Sequence, residues 1–426
     1  MEEPKIIIPT KDHLFNMQEF LKLTPGNIIN YTLLAIGLVI TVVRFTQGIG
    51  AVSNLDDYQP WGMWIGFDLL CGVCLAAGGY FTTVACYVMG MKQFSSAARP
   101  AVLTAFLGYA FVVVALLYDL GHPLRLPYMF FFPGTTSVLF EVGLCVATYL
   151  TVLFIEWSVA PCEWLGKKFP FLLKWRHWVE KCGILFTIMG VCLSTLHQSS
   201  LGTLFVIAPG KLHPLWYTEF LPMFFFVSSM VAGCSMVIFE GMCSHHSASC
   251  RRYMDATHLA QSDTVTLGFA KAGSLILFSY FMLRLIDMLV HGNIPYLFTG
   301  YGVWWLIEML FFILLPSLLY AKGSREKNIA LCQFASVNAV LGIVLNRFTI
   351  CMIAYNWQLP SADRYFPSFT EIMITVFVIT MIVTCYRFIV YHMPILYQHP
   401  KGQEATLCIS TLSTSFSSTR RTGPTS

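Results

Sequence analysis

Charged residues are scarce in this sequence: Asp, Glu, Lys and Arg together make up 11% of 426 residues, less than half the roughly 25% of ordinary soluble chains. Apolar residues reach 56% and mean hydropathy is +0.65, more apolar surface than a water-soluble core of this length hides. The net charge of +4 comes without a dense basic run, which excludes DNA and RNA as partners. CxxCH is absent, which excludes a c-type haem, and no string of closely spaced cysteines offers a site for an iron–sulfur cluster. A b-type haem needs two histidines in apposed helices, and only His197 falls deep inside an apolar run. The N-terminus, MEEPKIIIPTKDHLF, carries acids and lacks the basic region, apolar stretch and cleavage site of a secretory signal, so it is expected to stay in the cytosol.

Fourteen cysteines are present, but singly and inside apolar segments, as at Cys86, Cys145, Cys192, Cys234, Cys351 and Cys385; they read as small packing residues. Cys71 and Cys74 have the spacing of a redox motif, yet they lie within a helical run without flanking ligands and are read in the same way.

Crossing a hydrocarbon layer of about 30 Å takes about 20 helical residues. Runs of that length occur near 29–48, 61–90, 100–119, 138–157, 182–208, 218–240, 265–290, 301–321, 331–354 and 369–391. They are continuously apolar, without the alternation of a membrane barrel. The expected fold is all-α, a polytopic membrane protein of about ten transmembrane helices.

Basic loop residues collect on alternate sides of successive runs. One side holds Lys92, Arg99, Lys167, Lys168, Lys174, Arg176, Lys181, Arg251, Arg252, Lys322, Arg325 and Lys327; the other holds Arg125, Lys211 and Arg364. The positive-inside rule puts the first side and both termini in the cytoplasm. A weak repeat is visible: LLYDLGHP then VLFEVG, and RLIDMLVHG then WWLIEML, place Asp119 and Glu141, and Asp287 and Glu308, at matching helix ends and starts. The expected organisation is a cytoplasmic segment at 1–28, a first span and outer loop at 29–60, four-helix bundles at 61–217 and 218–354, a last span at 355–391, and a Ser/Thr-rich cytoplasmic tail at 392–426 too polar to pack.

A charge at membrane depth costs at least about 2.5–3.5 kcal/mol, so such groups turn inward or serve function. Asp68, Asp119, Glu141, His197, Glu219, Arg284, Asp287, Glu308, Asn346, Arg347 and Glu371 all fall toward the non-cytoplasmic ends of their runs. Some can pair structurally, Arg284 with Asp287 at i, i+3 for example. As a set they suit a small polar head arriving from the lipid, and a quinone has that shape. Its two carbonyl oxygens need hydrogen-bond donors, and its two-electron chemistry moves two protons. Histidine donates at either ring nitrogen and titrates near neutrality, and a carboxylate beside it orients it and passes protons. His197, with Asp119 and Glu141 as expected partners, is the best candidate; the small residues of CLSTLHQSSLGTLF, Gly202 among them, are expected to leave room beside its imidazole.

RPAVLTAFLGY, LLYDLGHPLR, SVLFEVGLCVATYLTVLFIEW and LSTLHQSSLGTLFVIAPGKLHPLWY resemble the NrfD/polysulfide-reductase type of membrane subunit. LNRF at Leu345–Phe348 and YFPSFTEI at Tyr365–Ile372 make the chain most similar to the HybB-type membrane subunit of periplasmic nickel–iron hydrogenases. The resemblance runs from about residue 30 to 391. It implies a haem-free quinone-reactive anchor in the cytoplasmic (inner) membrane of a respiring cell. Menaquinone or ubiquinone is the implied substrate. The implied partners are an extracytoplasmic iron–sulfur electron-transfer subunit and a catalytic subunit, a hydrogenase or related oxidoreductase. It places the quinone pocket in the first bundle, carrying over to Asp119, Glu141 and His197, with Asp68 and Arg125 beside them. Arg284, Asp287, Glu308, Arg347 and Glu371 take proton-handling or pairing roles. Two other classes fit a helical bundle with buried charges: an ion or solute transporter, and a purely structural anchor. Against a transporter, the runs lack paired Gly/Pro-broken helices at mid-depth.

Overall fold

Each apolar run becomes a helix in the computed structural model. It describes residues 23–396, apart from 58, 60, 167, 248–253, 255, 361, 362 and 394; most of the N-terminal segment, nearly all of the Ser/Thr-rich tail, Lys167, Arg251 and Arg252 lie outside the described residues. Among these residues ten helices are long and apolar enough to cross a membrane: α1 (Pro25–Gln47), α2 (Trp64–Val88), α3 (Lys92–Asp119), α4 (Val138–Leu165), α5 (Gly183–Val206), α6 (Leu221–His246), α7 (Gln261–Val290), α8 (Gly300–Glu326), α9 (Ile329–Ile353) and α10 (Phe369–His392). The chain is an all-α, multi-pass membrane protein, and the expected boundaries hold to within a few residues except at the ends of α3, α4, α6 and α8, where helix runs on beyond the purely apolar stretch. The one strand-like pairing among the described residues is the bridge between Leu212 and Tyr355.

Helix starts follow local chemistry. Ser137, Thr299 and Asn328 accept from the first-turn amides of α4, α8 and α9. Ser368 and Glu371 form a reciprocal capping box on α10. Four π-helical turns, at Trp64–Leu69, Val84–Val88, Leu310–Leu314 and Thr349–Ile353, occur within α2, α8 and α9. Such turns insert one residue and re-aim the side chains beyond them; the first carries Asp68, and the last begins just after Arg347 and Phe348.

Helices α2 and α6 form the centre: 67% of the apolar stretch of each is buried, against 11% in α1. They approach through glycine, since lipid tails are as apolar as leucine and close backbone packing must supply the attraction. A Cβ on Gly233 would lie 2.9 Å from the Ala77 carbonyl carbon and 3.0 Å from the Gly78 nitrogen. Gly233→Ala should therefore push α6 off α2 and cost about 1–3 kcal/mol, read as a lower thermal midpoint in detergent; an unchanged midpoint would show that this contact is not tight.

The peripheral helices α1 and α10 pack on each other. The Phe377 ring occupies the space beside Gly37, and Asn30 and Thr384 exchange hydrogen bonds of 3.0 and 3.1 Å. Loops 48–63, 120–137, 207–220, 291–299 and 354–368 share one face, called here the acid-lined face; the opposite face carries the loops with most of the basic residues.

Candidate functional site

His197 lies nine residues from the end of α5, about 14 Å below the acid-lined face at 1.5 Å per residue. It is fully buried. Its Nδ1 is 2.7 Å from the Leu193 carbonyl oxygen, which can only accept, so Nδ1 carries the hydrogen. In the neutral ring Nε2 is then an acceptor, and the Tyr109 hydroxyl of α3 stands 2.5 Å away. Tyr149 of α4 completes the setting: its ring packs edge-on to Tyr109 at 4.7 Å and lies 5.7 Å from the imidazole. Gln198 is fixed by donating to the Val73 carbonyl at 3.0 Å.

Around this pair sit four buried polar atoms that make no hydrogen bond of good geometry, the hydroxyls of Tyr80, Tyr149 and Ser194 and the Gln198 side-chain oxygen, although Ser194 lies within reach of both tyrosines and Gln198 within reach of Tyr109. A buried unpaired polar atom is costly, and folded chains hold only a few per hundred residues. A group of four beside one histidine marks a place fitted for a polar guest, water or ligand.

The expected carboxylate partners are elsewhere. Glu141 is exposed at the start of α4 and accepts from Ser200 at 2.7 Å, one turn above His197 on α5. It therefore stands at the rim over the His197–Tyr109 pair. Arg125 is exposed in the neighbouring loop. Asp119 does not reach His197 at all. It faces α1 and α10, where Arg44, Asp68 and Glu371 lie within electrostatic reach and its own Oδ1 is buried without a hydrogen bond. Asp68 accepts from Thr375 at 2.9 Å. Glu371, fully buried, accepts from Tyr365 at 2.7 Å and from the Ser368 amide at 2.6 Å. Arg44 closes this second cluster by donating to the carbonyls of Tyr118 and Leu120 at 2.8 and 2.7 Å, which satisfies the otherwise orphaned end of α3. Nor does Gly202 make room for the imidazole: a Cβ there would lie 2.7 Å from the Leu221 oxygen and the Pro222 Cα, so its bareness admits the start of α6.

The residues of the second half form a third cluster. Glu308 accepts from the Trp216 indole at 3.1 Å and from the Asn346 amide. Arg347, 1% exposed, lies 3.8 Å over the Phe225 ring and donates to Ser228 at 2.7 Å, to the Phe225 carbonyl at 3.3 Å and to Asn346 at 3.1 Å. It thereby ties α9 to α6. The Arg284–Asp287 pairing is present at 3.5 Å, with Thr218 donating to Asp287 at 2.6 Å.

Sequence reasoning did not single out Tyr109, Tyr149, Arg44 or Trp216. A tyrosine in the middle of an apolar span is the signal that was there to read, since its hydroxyl has to find a partner. His213, in the loop before α6, was also passed over. It stacks on Tyr301 at 4.6 Å with Trp357 edge-on at 4.8 Å, and its Nδ1 accepts from the Leu215 amide at 3.2 Å. Burial lowers its pKa from 6.5 to about 4. Between those values the unfolded chain holds more protons at this position than the folded one. The stability from neutral His213 is thus complete above about pH 6.5 and is lost as pH falls toward 4. The thermal midpoint should drop between pH 7 and pH 5, and His213→Phe should shrink that drop; an equal drop in the variant would assign it to other groups.

The sequence matches the polysulphide reductase NrfD family over residues 51–358. A protein of Nitratidesulfovibrio vulgaris is 63% identical over 90% of this chain and 97% of its own length. The probable Ni/Fe-hydrogenase 2 b-type cytochrome subunit of Escherichia coli is 32% identical over 85% of this chain and 90% of its own. The integral membrane subunit of menaquinone reductase from N. vulgaris is 26% identical, covering 83% and 88%.

Proposed function

The chain belongs to the polysulphide reductase NrfD family, and on that premise we propose that it is the quinone-handling membrane subunit of an anaerobic respiratory complex. In this reading it exchanges electrons between an extracytoplasmic iron–sulfur partner, of hydrogenase type, and quinone in the cytoplasmic membrane. The acid-lined face is the extracytoplasmic one, as the distribution of loop lysines and arginines suggests, and both termini are cytoplasmic. Spans α2–α5 act as the quinone-binding bundle and α6–α9 as its companion.

The observation that carries the reading is the buried His197–Tyr109 pair with its unsatisfied neighbours. A quinone head brings two carbonyl oxygens, which the Tyr149 and Ser194 hydroxyls can donate to. A quinol brings two hydroxyl protons, and neutral His197 can take one at Nε2 by way of the Tyr109 hydroxyl, which gives its own proton to the imidazole as it receives the quinol's. Reduction consumes two electrons and two protons per quinone, and oxidation returns both. The iron–sulfur partner handles the electrons; Glu141 and Ser200, at the rim, are placed to pass protons to and from the outer solution. The b-type haem in the name of the E. coli relative does not fit these residues. His197 is the one histidine deep within a span among the described residues, and both its ring nitrogens are engaged.

Isolation in mild detergent from the native host, followed by metal and quinone analysis, tests the proposal. About one quinone per chain and an iron-containing partner are expected. A chain that purifies alone, free of both, would end this reading.

A further inference from the structure

The backbone hydrogen-bond ladder of α2 passes over one carbonyl. Ala76 donates to Gly72 at 3.1 Å, the spacing a helix requires, but Ala77 donates to Cys74 at 3.2 Å. Regular helix would pair Ala77 with Val73, so the Val73 carbonyl is released. The break falls in Ala76-Ala77-Gly78-Gly79, where the backbone of α2 meets Gly233 of α6. A buried carbonyl still needs a donor, and here side chains supply it. Gln198 of α5 gives Val73 an amide hydrogen at 3.0 Å, and the Tyr109 hydroxyl of α3 stands 3.4 Å from the same oxygen.

Tyr109 has a single hydroxyl proton, and the structure offers it the Val73 oxygen at 3.4 Å and His197 Nε2 at 2.5 Å. Gln198 biases that choice. Its side chain is buried, and because a carbonyl only accepts, the nitrogen is the end that faces Val73. That nitrogen carries a second hydrogen, with the Tyr109 oxygen in reach and His197 Nε2 at 3.4 Å. A hydroxyl accepts and donates at once, so Tyr109 can receive this hydrogen while giving its own to the imidazole.

We infer that Gln198 is the positioning residue of the proton relay: it serves the carbonyl released by the break in α2 and so keeps the Tyr109 proton directed at His197. This rests on the function proposed above and adds the group that sets its proton step. In the oxidising direction the quinol O–H bond breaks as an O–H bond forms at Tyr109, and the original Tyr109 O–H bond breaks as an N–H bond forms at Nε2. The electrons leave separately, to the iron–sulfur partner. The Tyr109 oxygen has two lone pairs, one for the Gln198 hydrogen and one for the arriving proton. Without Gln198, the open Val73 carbonyl draws the hydroxyl proton away from Nε2, and the relay starts from the wrong state. A glutamine that only filled space would act on folding or on quinone binding; Gln198 acts through Tyr109.

The test uses the assembled complex in membranes of the native host, with a short-tailed naphthoquinone as the probe. Gln198→Met keeps the length of the side chain and removes both amide hydrogens. It should lower kcat at least about fivefold, the worth of one hydrogen bond, with KM within about twofold of the unaltered value. In a Tyr109→Phe background the same change should lower kcat by less than about a further twofold, because residues that act through one another are not additive. If Gln198→Met does not reach the membrane, Gln198→Glu, which also removes the hydrogens facing Tyr109, is read by the same two criteria. A full loss repeated in the Tyr109→Phe background, a rise in KM with kcat unchanged, or an unaltered rate overturns the role of Gln198. Unaltered rates in both His197→Ala and Tyr109→Phe would instead overturn the function on which it rests.

Discussion

His197→Ala is expected to lower quinone-linked electron transfer by the assembled complex at least a hundredfold, while dye-linked activity of its extracytoplasmic partners stays near the unaltered level. General acid–base groups typically contribute about 10²–10⁴-fold, and His197 is the single base facing the Tyr109 hydroxyl. Tyr109→Phe keeps the ring packing against Tyr149 and removes only the hydroxyl, so a smaller loss of about tenfold or more is expected, with quinone still bound. Glu141→Gln should slow proton exchange without abolishing binding, because the Ser200 contact survives in the amide. Rates from His197→Ala membranes that match the unaltered protein would move the quinone chemistry to another cluster, with Asp68 and Asp119 the next to test.

The second large effect is on stability. Arg347→Ala removes the guanidinium that holds Ser228, the Phe225 carbonyl and Asn346. It leaves the Asn346 side-chain oxygen without its donor and takes from the Glu308 carboxyl one of its two nearby cations, Arg284 being the other. Breaking one side of a buried charged network typically costs about 3–5 kcal/mol, a large part of the 5–15 kcal/mol that holds most folded domains. Arg347→Ala should therefore reach the membrane at a small fraction of the usual amount or unfold many degrees lower in detergent. Arg347→Ala combined with Glu308→Gln should recover part of the loss by removing the stranded charge. No recovery in the double variant would mean that stacking on Phe225, and not charge, carries the role of Arg347.

The sequence already contained the ten spans, because a continuous apolar run of about 20 residues has few other solutions. It also contained the residue types that matter, since a charge in such a run is rare enough to be noticed one at a time. Who meets whom was not legible. Asp119 and His197 lie in neighbouring spans at outer depths and looked like partners, yet Asp119 turns toward α1 and α10, and His197 toward Tyr109. Helix rotation decides this, and it is set by contacts such as the glycine approach at Gly233 and the admission of Leu221 beside Gly202. These depend on shape, which hydropathy does not register. Arg44 was hidden for another reason: its role is to cap carbonyls at the end of a helix some 75 residues along the chain, and no local pattern marks that.

The packing of α1 against α10 has a bearing on biosynthesis. The first span made is completed as a structure only by the last, whose start at Phe369 is emitted more than 300 residues after Gln47. At about 5–20 residues per second that interval is roughly 15–65 s. Throughout it, Asn30 lacks Thr384, and the carboxylate cluster beside Arg44 lacks Thr375 and Glu371. A ribosome stalled before α10 would thus leave a nascent chain with polar groups open to lipid, a recognisable mark for membrane quality-control proteases.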